Sequence, residues 1–438
     1  MTSTAILLAA GFGTRMKSAL PKAMHAIAGR PMLQHLLASA EARFDRVVVV
    51  AGPGMEALAA LAAPHAVVVQ ADRLGTAHAA LQAAPLFGDG EVAVLYADNP
   101  LIRPDTLGRL LERRRAGDAG LCLLAMRPPE PGRYGRVIGR DGTVDRVVEW
   151  ADASEAERAE GLCNAGVLCA PAGDFARWLH AVRPSPANAE FYLTECVALA
   201  AAEGRRVAVV EAPYEELRGI NSRAELAEAE ATLQGWLRRA AMDGGATLTA
   251  PETVFMSWDT ALGRDVQVGP NVVFGPGVSV EDGAEVRAFS HLEGCRVGPG
   301  AMIGPYARLR PGTEVGAGAH VGNFVELKAA SLGAGSKANH LAYIGDASVG
   351  AGSNVGAGTI TCNYDGFAKH RTTIGERVFV GTSAVLVAPV TLGDGAFVAA
   401  GSVITRDVAP DAMAFGRARQ EEKPGLAAEF RSSRRKLK

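Results

Sequence analysis

Residues 262–292 read LGRDVQ VGPNVV FGPGVS VEDGAE VRAFSH L, and every sixth residue of this stretch is apolar. The apolar positions are Leu262, Val268, Phe274, Val280, Val286 and Leu292. A period of six fits neither a helix, which repeats every 3.6 residues, nor a strand, which alternates every two. Three hexads form one triangular coil of three short strands, with one inward side chain per hexad. The stretch therefore predicts a parallel β-helix.

The same register continues along the chain, with one-residue slips, as far as Ile404. Its further anchor positions are Val297, Ile303, Leu309, Val315, Val321, Leu327, Leu332, Ala338, Ile344, Val349, Val355, Ile374, Val380, Leu386, Leu392, Val398 and Ile404. Glycine follows many of these anchors, as expected at corners where the backbone is crowded or has positive φ. The register is interrupted at residues 361–373, and we interpret residues 361–370, TCNYDGFAKH, as a loop that projects from the β-helix.

The overall composition excludes several classes of protein. The 438 residues carry 45 Lys and Arg against 47 Asp and Glu, a net charge of −2, so no global field favours nucleic acid or a membrane surface. No stretch is long enough to span a bilayer, and Met1–Met16 lacks the basic region of a signal peptide. The six cysteines lack metal-ligand spacing, which is typical of reduced thiols. We therefore expect a cytoplasmic protein with neither nucleic-acid nor membrane partners.

The pattern upstream of the β-helix predicts two further regions. Residues 1–221 alternate short apolar strands with helical segments, which is typical of an α/β domain with a mostly parallel, Rossmann-like sheet. Ser222-Arg-Ala-Glu225 is a capping box that opens a linker helix over residues 222–243. The β-helix domain then spans 244–420, and the arginine- and lysine-rich residues 421–438 predict a basic, disordered tail.

A glycine-rich loop follows the first predicted strand. The string LLAAGFGTRMKSALPK, residues 7–22, lacks the third glycine of a dinucleotide-binding fingerprint. Such a loop nevertheless brings backbone N–H groups close to phosphate oxygens, and Arg15 and Lys22 add fixed positive charge. The alternative, an ordinary turn with two solvated cations, suffices for Gly11-x-Gly13 alone but not for the whole string.

This string resembles the signature of the sugar-nucleotide pyrophosphorylases, G-x-G-T-R-M…P-K. With the β-helix behind it, the chain resembles the bacterial bifunctional N-acetylglucosamine-1-phosphate uridyltransferase / glucosamine-1-phosphate N-acetyltransferase family over residues 3–420. The resemblance implies two reactions. Glucosamine 1-phosphate is acetylated with acetyl-CoA, and UMP is then transferred from UTP to the product, releasing pyrophosphate. The resulting UDP-N-acetylglucosamine is a precursor of peptidoglycan and lipopolysaccharide.

The resemblance also implies a set of residues for the uridyltransferase site. The nucleotide-binding and sugar-binding positions of the family match Leu8, Ala9, Ala10, Gly11, Gly13, Lys22, Gln70, Gly75, Thr76, Gly135, Glu149, Asn164 and Asn221. Asp98 and Asn221 match its Mg²⁺ ligands, an oxygen pair that suits this ion, and Lys22 and Arg15 would stabilise the transferring phosphate. The side chain of Gln70 could both donate to and accept from a uracil edge.

Four residues depart from the commonest form of the family. Ala97 and Asn99 flank Asp98 where Gly and an apolar residue are usual, and Ala165 replaces a threonine. Phe12 stands in the phosphate loop where lysine is frequent. None of these four residues is an implied ligand, so they bear on base and sugar selectivity more than on the reaction class.

In the β-helix, the resemblance implies an acetyltransferase site. Its amino-sugar phosphate would be held by Arg310, Lys328, Tyr343, Asn354 and Lys369, and acetyl-CoA by Ala357, Asn363, Tyr364, Thr382, Ala400 and Arg417. His340 matches the catalytic base, and an imidazole with an ordinary pKa of about 6.5 can accept a proton near neutrality. We expect Glu326 to orient its ring, Cys362 to be structural, and Phe324, Leu341, Phe379 and Phe397 to serve in core or trimer packing.

Two other interpretations remain at this point. The chain could be a pyrophosphorylase of other specificity that uses the β-helix only as a trimer scaffold, which predicts loss of the residues around His340. It could also be a regulatory or assembly subunit, which predicts an eroded phosphate loop and metal site. Because both residue sets are present, we favour a two-site enzyme that acts as a homotrimer.

Overall fold

A computed structural model describes residues 2–140, 142–185 and 189–435. The chain folds as two compact units, Met1–Trp236 and Leu237–Lys438. The strands of the first unit are β1 Thr4–Leu8, β2 Ala26–Ile27, β3 Arg30–Pro31, β4 Arg46–Ala51, β5 Ala66–Val69, β6 Glu91–Tyr96, β7 Leu121–Met126, β8 Arg136–Arg140, β9 Thr143–Val148, β10 Cys163–Pro171 and β11 Val207–Glu211. Its helices are α1 Met32–Glu41, α2 Glu56–Leu61, α3 Thr76–Gln82, α4 Pro104–Arg115, α5 Glu155–Arg158, α6 Ala172–Ala181, α7 Glu195–Ala202 and α8 Tyr214–Leu217.

The main sheet of the first unit has the strand order β11-β7-β10-β6-β1-β4-β5. All neighbouring pairs along it are parallel except those of β10, which runs antiparallel to β6 and β7. Helices cover both faces, where two apolar clusters form the core. The predicted α/β domain is therefore confirmed. Because the ends of β1, β4 and β6 meet at one edge of the sheet, the loops that follow them lie side by side.

A helix, α9, spans Arg223–Asp243 and contains the boundary between the two units. Glu225 caps it, accepting bonds from the backbone N–H groups of Asn221 and Ser222. Up to Trp236 its apolar side chains pack in the first unit, and from Leu237 onward they pack against the β-helix core. The helix thus belongs partly to each unit, whereas the sequence predicted a separate linker.

The second unit is a β-helix whose strands stack in parallel on three faces, as predicted. The first face holds Thr247–Leu248, Gln267–Val268, Glu285–Val286, Met302–Ile303, His320–Asn323, Lys337–His340, Asn354–Val355, Phe379–Val380, Phe397–Val398 and Met413–Ala414. The second face holds Val273–Phe274, His291–Leu292, Arg308–Leu309, Glu326–Lys328, Tyr343–Gly345, Ile360–Cys362, Val385–Val387 and Val403–Ile404. The third face holds Ala261–Leu262, Ser279–Val280, Cys295–Val297, Thr313–Val315, Ser331–Leu332, Ala347–Val349, Thr372–Ile374 and Val390–Leu392.

The predicted anchors form the interior of this β-helix. All of them are buried except Leu262, which packs partly buried against the same core. The register also extends further than the apolar pattern indicated. Thr361 pairs with Leu386 in the anchor column, and its buried hydroxyl accepts a bond from the N–H of Gly345 at 2.8 Å. The interruption of the six-residue register therefore begins after Cys362 and not at residue 361. Thr361 can fill an inward position although it is polar, because its hydroxyl is hydrogen-bonded inside the β-helix.

The tail differs from the predicted disorder. A helix, α10, spans Leu426–Arg435, and all its residues are exposed. Arg434 and Arg435 lie in its last turn, where cations interact favourably with the helix dipole. The final three residues, 436–438, lie outside the described residues. Among the described residues, no helix is long and apolar enough to cross a membrane.

Two candidate active sites

The phosphate loop after β1 is shaped by a close contact with Lys22. Gly13 has φ of +68°, and a Cβ atom at this position would lie 2.9 Å from the Cβ of Lys22. Only glycine adopts this conformation at no steric cost, and only glycine leaves room for the lysine. Thr14–Met16 then form a 3₁₀ turn. The loop and Lys22 are therefore held together as one structure.

Lys22 in turn joins two polar residues that are far apart in the sequence. Its ammonium pairs with the carboxylate of Asp98, after β6, and donates to Oδ1 of Asn221 at 2.9 Å. The backbone N–H of Ile220 donates to the carbonyl of Asp98 at 2.9 Å. The three side chains that the sequence assigned to phosphate and metal binding thus converge on one point.

The donor set at this point fits a magnesium ion. The Oδ1 atom of Asp98 is buried and has no hydrogen-bond partner among the described residues, so it retains a lone pair for a cation. Asn221 supplies a neutral oxygen beside it, and phosphate oxygens and water complete the coordination that Mg²⁺ prefers. No cluster of three or more His, Cys, Asp or Glu residues suited to a metal occurs in the described part of the chain. A magnesium ion here would therefore depend on its substrate for ligands.

A cavity of about 350 Å³ opens beside the phosphate loop. It is lined by Leu8, Ala9, Ala10, Gly11, Lys22, Ala23, Gln70, Arg73, Gly75, Thr76, Ala79, Tyr96, Ala97, Asp98 and Glu190. The lining contains most of the predicted nucleotide-binding residues. Of the predicted phosphate-loop residues, Gly13 and Arg15 do not line the cavity, and Arg15 is exposed on the 3₁₀ turn.

Gln70 is buried in this cavity with its amide nitrogen already engaged. The nitrogen lies 3.1 Å from both the carbonyl of Gly75 and Nδ1 of His78. Its oxygen is left to accept a bond, so Gln70 is suited to a base donor such as the N3–H of uracil. The sequence predicted that the Gln70 side chain would both donate to and accept from a base, whereas its nitrogen already donates within the protein and its oxygen is left to accept. His78, which sequence reasoning missed, positions this amide.

Gly75 and Thr76 are fixed by the segment around Phe191. Gly75 has φ of +113°, and a Cβ atom there would lie 2.5 Å from the carbonyl oxygen of Phe191. The hydroxyl of Thr76 accepts a bond from the N–H of Leu193 at 2.9 Å. This part of the cavity wall is therefore rigid before any ligand binds.

A second, smaller cavity of about 190 Å³ contains the predicted sugar-binding residues. Gly135, Glu149 and Asn164 line it, and the N–H of Asn164 donates to the carbonyl of Gly135 at 2.9 Å. Glu149 accepts a bond from the hydroxyl of Thr194 at 3.1 Å. Burial raises the pKa of the Glu149 carboxyl, and the bond from Thr194 only partly offsets this. Glu149 is therefore a desolvated acceptor suited to hydroxyl groups.

The two cavities meet at Asp98. Tyr96 and Asp98 line both of them, so a ligand in one cavity lies next to a ligand in the other at the point where Lys22 and Asn221 converge. Asn99, one of the unusual residues, is buried, and its amide donates to the carbonyl of Leu217 at 2.5 Å. It fixes the loop that carries Asp98 and replaces apolar packing with a hydrogen bond.

In the second unit, the predicted phosphate-binding cations form a cluster at the corner after the second face. Arg310 and Lys328 lie on successive coils, where Arg310 pairs with Glu326 at 2.9 Å and Lys328 with Asp346 at 3.2 Å. Lys369, from the loop, interacts with Lys328, and this interaction raises the pKa of Lys328 and lowers that of Lys369. A dianion here would relieve the repulsion between the two amines.

Loop residues complete this corner. Burial opposes ionisation of Asp346, but bonds from Asn363 and Lys328 hold the pKa of Asp346 below its ordinary value. The ring of Tyr343 lies over Gly345, beside Lys328. Tyr364 is exposed, and its hydroxyl donates to the carbonyl of Gly366 at 2.6 Å. The cations, Tyr343 and the loop are therefore brought together as predicted.

His340 lies at a different corner, between the first and second faces. Its Nδ1 atom lies 2.5 Å from Oδ1 of Asn323 on the preceding coil. An amide oxygen only accepts, so Nδ1 carries the proton and Nε2 has the free lone pair. In the described part of the chain, Glu326 pairs with Arg310 and forms no hydrogen bond with the imidazole, so it does not orient His340 as expected. Asn323 takes that role.

Three of the predicted acetyl-CoA residues continue the column that begins at Asn323 and His340, whereas Asn363 and Tyr364 lie in the loop at the cation corner. Ala357, Thr382 and Ala400 each follow a first-face anchor by two residues, on successive coils. With a coil spacing of about 4.8 Å, Ala400 lies about 14 Å along the β-helix from His340. Arg417 packs next to this end, 3.7 Å from a Cβ atom built on Gly401. An elongated ligand could thus extend along one edge of the β-helix from His340.

One chain does not bring the whole acetyltransferase set together. His340 ends a first-face strand, whereas Lys328 ends a second-face strand, so the base and the cations lie at opposite edges of the second face. Asn354 lies on the first face, one residue before the anchor Val355, and so is also separate from the cations. Cys362 is partly buried at the base of the loop and has no disulfide partner.

An exposed aromatic ladder lies directly beside the His340 corner. Phe289, Tyr306 and Phe324 stack on successive coils with ring centroids 4.9 and 5.2 Å apart, and Leu341 follows them. These four side chains are 46–61% exposed, and Phe379 and Phe397 form another exposed stack. Of the two roles expected for Phe324, Leu341, Phe379 and Phe397, core packing is therefore wrong, because these residues occupy corner and outward positions of the coil, and trimer packing stays a prediction.

Comparison with known proteins links both units to transferases. Residues 5–159 match a MobA-like NTP transferase domain, residues 294–329 a bacterial transferase hexapeptide of six repeats, and residues 371–406 a hexapeptide repeat of succinyl-transferase. A relative from Gluconacetobacter diazotrophicus, called Bifunctional protein GlmU, is 68% identical over 100% of this chain and 95% of its own length. A protein of the same name from Acidiphilium cryptum is 62% identical over 100% of this chain and 100% of its own length. Another, from Granulibacter bethesdensis, is 62% identical over 98% of this chain and 96% of its own length.

Proposed function

The chain belongs to the family of bifunctional GlmU proteins, and we propose that it synthesises UDP-N-acetylglucosamine through two reactions at two sites. The β-helix acetylates glucosamine 1-phosphate with acetyl-CoA, and the α/β unit transfers UMP from UTP to the product. The observation that carries the proposal is the meeting of two cavities at Asp98, Lys22 and Asn221, with the acetyltransferase residues also present. The scaffold interpretation requires loss of those residues and is not favoured.

In the uridyltransferase site, the oxygen of N-acetylglucosamine 1-phosphate would attack the α-phosphorus of UTP, and pyrophosphate would leave. The nucleotide would occupy the larger cavity and the sugar the smaller one, so the reacting atoms would lie next to Lys22. The ammonium of Lys22 would move with the phosphate group on which negative charge develops. Backbone N–H groups of the phosphate loop would hold the triphosphate. Such transfers depend on positioning and charge stabilisation more than on a general base.

Magnesium would be held by Asp98 and Asn221 together with phosphate oxygens. The ion, when bound, neutralises charge on the transferring phosphate. Lys22, which pairs with Asp98, would then move its ammonium from the carboxylate to the phosphates. The unpartnered Oδ1 of Asp98 supports this assignment.

In the acetyltransferase site, His340 would act as the base. Its Nε2 atom would remove a proton from the ammonium of glucosamine 1-phosphate, and the amine nitrogen would attack the thioester carbonyl of acetyl-CoA. The carbon–sulfur bond then breaks, the CoA thiol leaves and the amide forms. Arg310, Lys328 and Lys369 would hold the sugar phosphate.

The separation of base and cations on one chain supports a trimer with shared sites. If the His340 corner of one chain faces the cation corner of the next, each interface completes one site. The aromatic ladder at Phe289, Tyr306, Phe324 and Leu341 is the apolar surface expected beside such an interface. The two reactions use acetyl-CoA and UTP, which we expect the enzyme to meet in the cytoplasm. The six free cysteines agree with such a reducing compartment.

Assays of the two partial reactions test this proposal. The protein should release CoA thiol from acetyl-CoA only with glucosamine 1-phosphate, and pyrophosphate from UTP only with N-acetylglucosamine 1-phosphate and Mg²⁺. If thiol release is missing while pyrophosphate release is normal, the β-helix is only a scaffold. If both are missing, the proposal fails.

A further inference from the structure

Arg73 is a cavity residue to which neither the predicted site nor the proposed mechanism assigns a role. It lies in the loop between β5 and α3 and lines the larger cavity with Gly11, Lys22 and Asp98. Its guanidinium carbon lies 4.4 Å from the ring centroid of Phe12, in the phosphate loop. A cation stacked on an aromatic face at this distance is held in place by the ring quadrupole.

The backbone of the loop after β4 leaves space for the guanidinium of Arg73. A Cβ atom at Gly52, after β4, would lie 3.0 Å from Nη2 of Arg73 and 3.1 Å from the carbonyl oxygen of Ala10. Any larger residue at position 52 would therefore crowd both the arginine and the phosphate loop. Arg73 is positioned by Gly52 and Phe12 together, although its own loop is exposed.

In the described part of the chain, no carboxylate forms an ion pair with the guanidinium of Arg73. Arg103 offers a contrast, because it also stacks on an aromatic ring, that of Trp236 at 4.1 Å, but pairs with Glu216. An arginine that is held by a ring, lacks an acidic partner and lines a nucleotide-sized cavity is suited to an anionic ligand.

We propose that Arg73 binds the β- and γ-phosphates of UTP, the two phosphates that leave as pyrophosphate. This inference rests on the proposed uridyl transfer. The guanidinium lies against the Ala10–Phe12 part of the phosphate loop, whereas the base donor site is at Gln70. Phe12 covers one face of the guanidinium and leaves its N–H edges free for bidentate bonds to phosphate oxygens. Arg73 would thus anchor the leaving group, opposite the attacking sugar phosphate.

Steady-state kinetics in both directions test the assignment. Arg73→Gln should raise the KM for UTP, and in the reverse reaction the KM for pyrophosphate, by about tenfold, the loss expected for a charge-assisted bond to phosphate. The KM values for N-acetylglucosamine 1-phosphate and UDP-N-acetylglucosamine should stay within about twofold, because neither contains the β- and γ-phosphates of UTP. Phe12→Leu, which removes the ring but keeps the site apolar, should raise the pyrophosphate KM by about threefold.

A charge-relocation variant and a remote control complete the test. Adding Phe12→Lys to Arg73→Gln places a cation in the same loop and should restore most of the affinity for pyrophosphate. Arg434→Gln removes another ring-stacked arginine, in α10, and should change nothing. An equal rise in the KM for UDP-N-acetylglucosamine would mean that Arg73 contacts the base or ribose, and unchanged KM values would mean that it contacts no substrate. Either result overturns the assignment, whereas an inactive wild-type protein overturns the proposed function itself.

Discussion

The Nδ1 atom of His340 donates to Oδ1 of Asn323 at 2.5 Å, across one coil of the β-helix. This bond selects the tautomer in which Nε2 can accept a proton, so Asn323 would position the proposed base. Because the two residues are 17 positions apart, the relationship depends on the coil length and not on a local motif.

Asn323→Ala should therefore impair acetyl transfer while leaving uridyl transfer unchanged. We expect kcat for acetylation to fall by about tenfold to a hundredfold, the range typical of residues that orient a catalytic group. Asn323→Asp should keep the ring orientation but favour the imidazolium, and so move the pH profile of acetyl transfer to higher pH. A pH profile of Asn323→Asp identical to that of the wild type would contradict the positioning role.

Burial of Glu149 gives a pH prediction for the sugar site. Because the pKa of the carboxyl is raised in the folded protein, its ionisation costs stability above that raised pKa, and the cost disappears below the unfolded value. Glu149→Gln should therefore raise Tm at pH 8, and the gain should vanish as the pH falls below about 4.3. Thermal unfolding across this range measures the effect, and a lower Tm at pH 8 would count against it.

The same substitution should weaken sugar binding. The KM of the wild type for N-acetylglucosamine 1-phosphate should rise as the pH falls through the raised pKa, because the protonated carboxyl accepts hydroxyl bonds poorly. In Glu149→Gln this KM should be high throughout and lack that rise. The KM for UTP serves as the control, since Glu149 lines only the smaller cavity.

Gly166 packs against the ring of Tyr96, the residue that lines both cavities, and this packing leaves no room for a side chain at position 166. It has φ of +78°, and an added Cβ atom would overlap the ring of Tyr96. Gly166→Ala should destabilise the first unit by about 2 kcal/mol and lower Tm by about 5 °C. Gly173→Ala, in α6, is the matched control because no atom lies within 4 Å of the added group. Equal Tm values for the two variants would refute the packing argument.

The aromatic ladder predicts how the chains associate. If the chain forms the proposed trimer, Tyr306→Asp, at the centre of the stack, should convert it to monomers at micromolar concentration, because the substitution would place a charge in the proposed apolar contact. Acetyl transfer should be lost with the trimer, whereas uridyl transfer should persist. Phe430→Asp, in α10, changes another exposed ring outside the ladder and should leave the association unchanged. Sedimentation would decide, and a monomeric wild-type protein would contradict the shared site.

The fold could be predicted almost completely from the sequence, because the signal for a β-helix is one inward residue per hexad. Val268, Val286 and Ile303 each report that position directly. Thr361 occupies the same column but is polar, so the pattern could not include it without knowledge of its bond to Gly345. Helix α10 was missed because its residues bury nothing, and no tertiary contact is encoded in an apolar pattern there.

Site residues that lie in sequence motifs could be predicted. Residues whose proposed role depends only on proximity in the folded chain could not. Asp98, Lys22 and Asn221 lie in recognisable strings, and they converge. Asn323 lies in no such string, and Arg73 lies in one, QADRLGTAHA at residues 70–79, in which the sequence assigned roles only to Gln70, Gly75 and Thr76. The roles proposed for Asn323 and Arg73 arise from a neighbouring coil and from a ring in another loop. Stacking by 17 or 18 residues could have identified Asn323 beside His340, had the coil length been applied to polar residues as well as to anchors.

The most direct test of the two-site account is mass spectrometry of the products formed from glucosamine 1-phosphate, acetyl-CoA, UTP and Mg²⁺. The wild type should produce UDP-N-acetylglucosamine. His340→Ala should leave glucosamine 1-phosphate unacetylated, Asp98→Ala should accumulate N-acetylglucosamine 1-phosphate, and a mixture of the two variants should restore the final product. If each substitution abolishes both partial reactions, or if the mixture makes no UDP-N-acetylglucosamine, the two sites are not independent and the account is wrong.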